Sequence, residues 1–245
     1  MGTADLHLHT RVSDGFATVE QLLDHVQNRT MLDVIAVTDH EDAAGGTRAQ
    51  MLAARRSYRF EVISGAEITT LQGHLLALFI EEAPPSFRSI ERTIYAIHRQ
   101  GGLAVIPHPM SWLTRSVSQR TIERLFGLRA TGDWFDAIEL ANPSPAGKQT
   151  AAKARAFNAR WALPETGGSD AHHLLHTATG WTSFAGATAA ALKAAIASGT
   201  TRGGTSRYPS FAEVGYGRTA LGLLWGYAAT PRKMLRLGRA PRKEA

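Results

Sequence analysis

A chain of 245 residues without cysteine excludes disulfides, thiolate metal sites and a cysteine nucleophile, yet is long enough to bury one full α/β core. Hydrophobic residues make up 44% and charged residues 20%, the balance of an ordinary globular protein, and no apolar run approaches a membrane span. The net charge of +6 lies entirely at the end: residues 203–245 hold 8 basic and 2 acidic side chains, leaving 19 of each in residues 1–202, so the charge says nothing about partners of the body.

Apolar runs alternate with helical periodicity along residues 3–199, the pattern of β/α units around a parallel sheet. Residues 3–8 read as a first strand. TVEQLLDHV follows as a helix, with Thr18 as N-cap and Gln21 in the capping-box position. DVIAVTD (33–39) is a buried strand, and DAAGGTRAQMLAARRS is a helix weakened by two glycines. FEVISGAEI (60–68) and HLLALFI (74–80) are strands, and SIERTIYAIHRQ is a helix ended by Gly101-Gly102. LAVIP (103–107), a helical SQRTIERLF and a strand DAIELAN (136–142) come next. GKQTAAKARAFNARW is a helix, LPETGGSDA a strand running into a loop, and ATAAALKAAIASG a helix closed by Gly199. Six or seven such units predict a closed β/α barrel, in which active groups gather at the C-terminal ends of the strands.

Nine potential metal ligands fall in six short clusters, nearly all where a predicted strand ends. They are His7 and His9 in DLHLHT, Asp14 in VSDG, His40 in VTDH, Glu67 and His74 in GAEITTLQGH, His108 in IPHP, and Asp170 and His172 in GSDAH. His7 and His9 share one face of a strand because residues i and i+2 do. Glu67 at a strand end is costly to bury without a cation. His74 opens its strand instead of ending it, which predicts an antiparallel or edge strand. Each residue alone also has a structural reading: an incidental HxH, a turn aspartate at Asp14, a hydrogen-bonded rim histidine at His40. All nine at one end of one barrel predict a site for two or three divalent ions. Nitrogen and oxygen donors suit Mn, Zn or Fe. Water bound to such ions has its pKa lowered to about 7, and the resulting hydroxide attacks at neutral pH while the cations offset charge on phosphoryl oxygens.

These motifs in this order, DLHLHT with SDG, TDH, the Glu-to-His segment, HP and GSDAH, resemble the PHP (polymerase and histidinol phosphatase) superfamily over roughly residues 4–203. The resemblance implies a distorted (β/α)7 barrel, similar to a TIM barrel, that hydrolyses phosphoesters with two or three metals. It places the family's nine ligands on the nine residues above, with none missing. It also implies their grouping: a first ion on His7, His9, Glu67 and Asp170, a second on Glu67, His74 and His108, and a third on Asp14, His40 and His172. Glu67, Asp170 and His172 are read as catalytic. Within the superfamily the chain looks most like small stand-alone members that cleave 3′,5′-bisphosphonucleotides or trim RNA 5′ ends. Histidinol-phosphate phosphatases share the motifs.

The expected function is thus a metal-dependent phosphoesterase acting on a small phosphorylated metabolite or nucleotide. An exonuclease on short RNA or DNA, a histidinol-phosphate phosphatase and a non-catalytic metal scaffold are the alternatives. Arg115, Arg11 and Asn142 are candidate substrate contacts, and Asp39 a candidate carboxylate behind the ligands. His173 and His176 flank the last cluster. The organisation expected is a barrel over residues 1–203 and a basic tail over 204–245, where TALGLLWGYAAT and PRKMLRLGRAPRK suit weak contact with anionic lipid or nucleic acid. With no secretory signal or transmembrane segment visible, the chain reads as cytoplasmic.

Overall fold

The computed structural model describes residues 1–129, 134–215 and 217. Nine strands form one sheet: β1 (Gly2–Leu8), β2 (Val34–Val37), β3 (Glu61–Thr70), β4 (Gly73–Leu78), β5 (Leu103–Ile106), β6 (Ala137–Ala141), β7 (Glu165–Gly167), β8 (Gly180–Phe184) and β9 (Arg202–Thr205). The helices are α1 (Val19–Arg29), α2 (Ala44–Arg56), α3 (Ile90–His98), α4 (Gln119–Phe126), α5 (Pro145–Trp161), α6 (Ala189–Ala197) and the short α7 (Phe211–Val214). The strand order is β7-β6-β5-β4-β3-β2-β1-β8-β9. β4 is antiparallel to β3 and β5, and β8 is antiparallel to β1 and β9. The remaining seven strands all run one way; β1, β2, β5, β6 and β9 lead directly to helices, while β3 and β7 reach α3 and α6 through the reversed strands β4 and β8, so the barrel is a distorted (β/α)7 with two reversed strands inserted. The predicted reversal of the His74 strand is borne out, though the strand is internal. β8 and β9 were not foreseen: GWTSF and RGGT carry too little apolar patterning to be read as strands.

Local chemistry sets the helix ends. Thr18 Oγ1 accepts from Gln21 N–H while Gln21 Oε1 accepts from Thr18 N–H, the capping box read from the sequence. Ser89, Ser118, Ser144 and Thr188 cap α3, α4, α5 and α6 in the same way with their hydroxyls.

The core has an inner and an outer layer. Leu6, Val34, Ala36, Ile63, Leu76, Leu78, Val105 and Ala137 pack together inside the barrel, and α6 joins them through Leu192 and Ile196. Alternate residues of the same strands pack outward on helices, as Ile35 and Val37 do on Leu22, Leu23 and Val26 of α1. Ala4 and Leu6 of β1 face inward, but Leu8 joins the outer layer, and the β1–β2 pairing shifts register between Asp5 and Leu8. That irregularity swaps the inward parity, so that His7 and His9 turn to the barrel mouth above Leu6. On β3, β4 and β6 no swap is needed: Glu67, His74 and Glu139 continue the faces of Ile63, Leu76 and Ala137.

β7 and β9 close the barrel without a ladder. Thr182 Oγ1 accepts from Gly167 N–H at 2.8 Å and donates to Gly167 O at 2.9 Å. Gly203 N–H donates to Glu165 Oε1 at 3.0 Å, and Thr201 Oγ1 donates to Glu165 O at 2.6 Å. A Cβ on Gly203 would lie 2.6 Å from Ala141 Cβ, so the seam requires glycine there. After β9, Ser206 N–H bonds Thr179 O, and Arg207 pairs with Glu213 at 2.9 and 3.0 Å. The expected tail beyond these residues, with its apolar and basic segments, lies outside the described residues. Among the described residues no helix is long and apolar enough to cross a membrane.

Thr182→Val keeps the shape of this buried side chain but strips hydrogen bonds from both backbone groups of Gly167. It should cost about 1–3 kcal/mol of stability, read as a lower urea midpoint at unchanged m-value.

Candidate metal centre

All nine sequence-predicted ligands meet at the C-terminal mouth of the barrel. Glu67, almost fully buried, is the hub. Its Oε2 lies 3.3 Å from His7 Nε2, 3.4 Å from His9 Nε2 and 3.4 Å from His40 Nδ1. Its Oε1 lies 2.8 Å from His74 Nδ1 and 3.1 Å from His108 Nε2. Asp14 Oδ2 faces His172 Nε2 at 3.2 Å and His40 Nε2 at 3.5 Å, with Oδ1 3.6 Å from His9 Nδ1. Asp170 Oδ1 is 3.6 Å from both His7 Nε2 and His9 Nε2, and 3.7 Å from His172 Nδ1.

Four sets place one donor atom per residue within 4.8 Å of one another: His9, Asp14, His40 and His172; His7, His108 and Asp170; His7, His9 and Glu67; and His40, Glu67 and His74. Both ring nitrogens of His9, with Nδ1 of His40 and of His74, are buried and make no well-aligned hydrogen bond, although His74 Nδ1 lies 2.8 Å from Glu67 Oε1. Buried polar atoms normally have one. Hydroxyls of Ser13 and Ser144 reach Asp14 and Asp170 at 3.1 and 3.0 Å, but both oxygens of Glu67 face imidazole nitrogens, and a set of imidazole lone pairs converging with carboxylates fits divalent cations.

Electrostatics says the same. Burial raises the pKa of Glu67, but the imidazoles of His74, His40 and His7 outweigh it and hold the group well below the carboxylate range. Asp14 is held low against its burial by His172 and His40, and Asp170 by His7. Burial lowers His40 to about 4. For His172 burial is overcome by Asp14 and Asp170, which push it to about 10.

A second layer fixes these groups. Glu139, buried on β6, was missed by sequence reasoning. Its Oε1 lies 3.1 Å from His7 Nδ1, and its Oε2 accepts from His108 N–H at 2.9 Å and from Asn142 Nδ2 at 2.8 Å. The signal was available: a carboxylate inside the apolar strand AIELA, on the parity of Ala137. Asp39 accepts from Thr10 N–H and Oγ1, each at 2.7 Å, and from Ser13 N–H and Oγ at 3.1 and 2.6 Å. It thereby holds the turn that presents Asp14. Asp5, whose pKa burial raises to about 6, accepts from Ser169 N–H at 2.9 Å and Ser169 Oγ at 2.6 Å, just before Asp170. His108 and Asp170 sit at φ 28° and 54°, a backbone strain that surrounding contacts must impose.

The substrate candidates part company. Arg11 and Arg115 are exposed at the rim: Arg11 Nε donates to Phe16 O at 2.8 Å, and Arg115 Nη2 to Thr70 O at 3.4 Å. Asn142 is buried, and its amide is spent on Glu139 and on Ser144 N–H, so it stands behind the ligands and not before a substrate. His176 is buried against Tyr208, ring centroids 3.9 Å apart, with Nε2 3.2 Å from Pro209 O, which gives it a packing role.

Residues 150–201 match the family described as PHP-associated. An uncharacterized protein of Methanocaldococcus jannaschii is 34% identical over 131 residues, 49% of this chain and 75% of that protein. The chain belongs to the PHP superfamily. A 3′,5′-nucleoside bisphosphate phosphatase of Chromobacterium violaceum is 34% identical over 90 residues, 35% of this PHP chain and 30% of the phosphatase. Among solved structures, a two-domain protein of Bacteroides vulgatus containing a predicted PHP-like metal-dependent phosphoesterase superposes with a TM-score of 0.62 at 20% identity, over 83% of this chain and 64% of that one, a likeness of fold. The PHP chain thus spans three quarters of the archaeal relative but less than a third of the phosphatase.

Two outcomes follow. Glu139→Gln should weaken divalent-metal binding by about 10–100-fold with unchanged circular dichroism; wild-type affinity in a metal titration would remove its positioning role. In chelator-stripped protein His172 keeps a proton from its ordinary value of 6.5 up to about 10. Metal entry must expel that proton, so binding in this window should release acid and tighten as pH rises, as an indicator dye in weakly buffered solution will report.

Proposed function

We propose that this PHP chain is a metal-dependent phosphoesterase that hydrolyses phosphate esters of a nucleotide, with a 3′,5′-bisphosphonucleotide as the model substrate. The observation that carries the reading is the division of Glu67: one oxygen faces His7, His9 and His40, the other His74 and His108, at 2.8–3.4 Å. A carboxylate so placed is suited to bridge two cations. His7, His9 and Asp170 would complete the first position, His74 and His108 the second, and Asp14, His40 and His172 a third. Bound divalent ions, Mn, Zn or Fe by donor type, would supply Lewis-acid stabilisation of phosphoryl charge and a water acidic enough to react at neutral pH.

The chain's own residues do the rest. Asp170, held ionised, reaches His7, His9 and His172 from one oxygen and is placed to accept a proton from an attacking water. His172, the most exposed ligand at 35%, marks the side from which a phosphate ester enters. Arg11 flanks that side, where a guanidinium matches a second phosphate group. Arg115 flanks the opposite side, beside His74, whose backbone N–H donates to Arg115 O at 2.8 Å. Glu139, Asp39 and Asp5 hold ligand geometry and touch no substrate.

The deciding experiment offers Mn-loaded protein an aryl phosphate, a 3′,5′-bisphosphonucleotide and histidinol phosphate. Phosphate should come from the bisphosphonucleotide with the highest kcat/KM. Glu67→Ala should lose metal and at least about 100-fold of turnover, more than is typical for an outer-layer partner. Preference for histidinol phosphate would replace the substrate reading. Full metal loading without turnover of any compound would leave a metal scaffold.

A further inference from the structure

Glu41 directly follows His40, is 1% exposed and takes no part in the ligand set. Its Oε1 accepts from Thr69 N–H at 3.0 Å, and its Oε2 accepts from Ser86 Oγ. Its own N–H donates to Glu67 O at 3.0 Å. Glu41 therefore ties three segments together: the loop after β2 with His40, the far end of β3 with Glu67, and the connection between β4 and α3 (residues 79–89). That connection lies along the end of β3. Phe87 N–H donates to Thr69 O at 2.7 Å, and Leu71 N–H donates to Arg88 O at 3.0 Å. Here the backbone of Phe87 takes φ 55°, and Glu41 itself takes φ 60°. A bulky side chain is unfavourable in left-handed backbone, which persists where surrounding contacts impose it. Glycine or asparagine would hold this turn with less strain. The Phe87 ring gains little from burial either: it is 44% exposed, with the Arg115 guanidinium 5.8 Å from its centroid. Arg115 O accepts from His74 N–H at 2.8 Å, and Thr69 pairs with His74 across the β3–β4 ladder. The Phe87–Arg115 pair thus stands on the rim beside His74.

A phosphate ester whose phosphoryl group sits among the candidate ligands must send its leaving group out over the rim. A ring beside a guanidinium offers stacking and cation–π contact to another flat group. It offers little to an aliphatic alcohol. We propose that Phe87, with Arg115 beside its ring, is a specificity-determining residue that receives the leaving group and favours flat aromatic ones, and that Glu41 is the positioning residue that holds it there. This deepens the phosphoesterase reading, on which it rests for the place of the ester. Selection by the leaving group is separate from the second phosphate assigned to Arg11.

The test compares Mn-loaded full-length protein on an aryl phosphate and on glycerol phosphate. Each variant is read against wild type on the same compound, which cancels the difference in leaving-group reactivity. Phe87→Asn should lower kcat/KM for the aryl phosphate about 3–10-fold, mainly through KM, and leave glycerol phosphate unchanged. Asparagine accepts left-handed backbone more readily than phenylalanine, so the thermal midpoint should hold or rise while selectivity falls. A ring needed only for packing would lose stability instead. Ser86→Ala opens the latch from the loop side and should shift selectivity the same way at unchanged metal affinity. Glu41→Ala should do likewise. Glu41→Gln should restore selectivity, because an amide accepts from Thr69 N–H and donates to Ser86 Oγ. Equal losses on both esters, or wild-type selectivity in Phe87→Asn, overturns the subsite. Phosphonates, which cannot be hydrolysed, separate this from the phosphoesterase reading. Phenylphosphonate bound more tightly than methylphosphonate, with that margin lost in Phe87→Asn, supports the subsite; if the same protein turns over no ester, the phosphoesterase reading alone is sunk.

Discussion

A carboxylate with almost no access to water cannot stay ionised at the mouth of a barrel unless something positive surrounds it. Glu67 is that carboxylate, and the rest of the mouth is arranged around it. Five imidazoles from β1, the loop after β2, β4 and the loop after β5 converge on its two oxygens. Asp14 and Asp170 meet the same imidazoles from outside. The arrangement is electrostatically self-consistent in the folded chain, but ring nitrogens of His9, His40 and His74 face carboxylate oxygens without well-aligned hydrogen bonds. That mismatch separates it from a structural network of buried polar groups, in which every donor and acceptor finds a counterpart. A set of lone pairs with too few protons between them is complementary to cations.

The layer behind the candidate ligands explains how loops hold such geometry. Asp5, Asp39 and Glu139 are all buried; Asp5 and Asp39 spend their oxygens on backbone N–H groups and hydroxyls, and Glu139 on the His7 ring, the His108 backbone N–H and the Asn142 amide, in the segments that carry the candidate ligands. Asp39 ties the Thr10–Ser13 turn to the end of β2, so Asp14 reaches a site built otherwise from distant strands. Glu139 grips His7 through its ring and His108 through its backbone, coupling β6 to β1 and to the loop after β5. These contacts also account for the left-handed backbone at His108 and Asp170, since strain persists only where surrounding contacts over-determine it.

How much of this was legible in the sequence depended on whether the signal was local. The residues of the candidate metal centre could be picked out because nearly all of them combine a short motif with a strand end. The helices were legible through their apolar periodicity, and α1 also through its Thr18–Gln21 cap, contacts three residues apart. The reversal of the His74 strand followed from a ligand at the wrong end of its run. Glu139 escaped because its partners, His7 and His108, are remote in the chain, and a single acidic residue in AIELA resembles an outward-facing one. The swap of inward parity on β1 escaped for a related reason: DLHLHT reads as even alternation, and only pairing with β2 shows the shift between Asp5 and Leu8. β8 and β9 escaped because their cohesion comes from Thr182, Glu165 and glycine contacts at the seam, not from apolar periodicity.

Exposure is not shared equally among the ligand candidates, and the inequality has a direction. His7 and His9 are fully enclosed at 0%, His40 and Asp14 stand at 10% and 14%, and His172 at 35%. The gradient runs from the barrel axis toward the loops after β1 and β7. A cation on the enclosed side would be bound by groups that cannot trade places with water. One held by Asp14, His40 and His172 would keep open coordination and exchange more freely, as a position that must admit substrate requires. The same loops carry Phe16 and His173, ring centroids 6.0 Å apart, so the exposed side of the mouth follows from how DLHLHT and GSDAH end their strands.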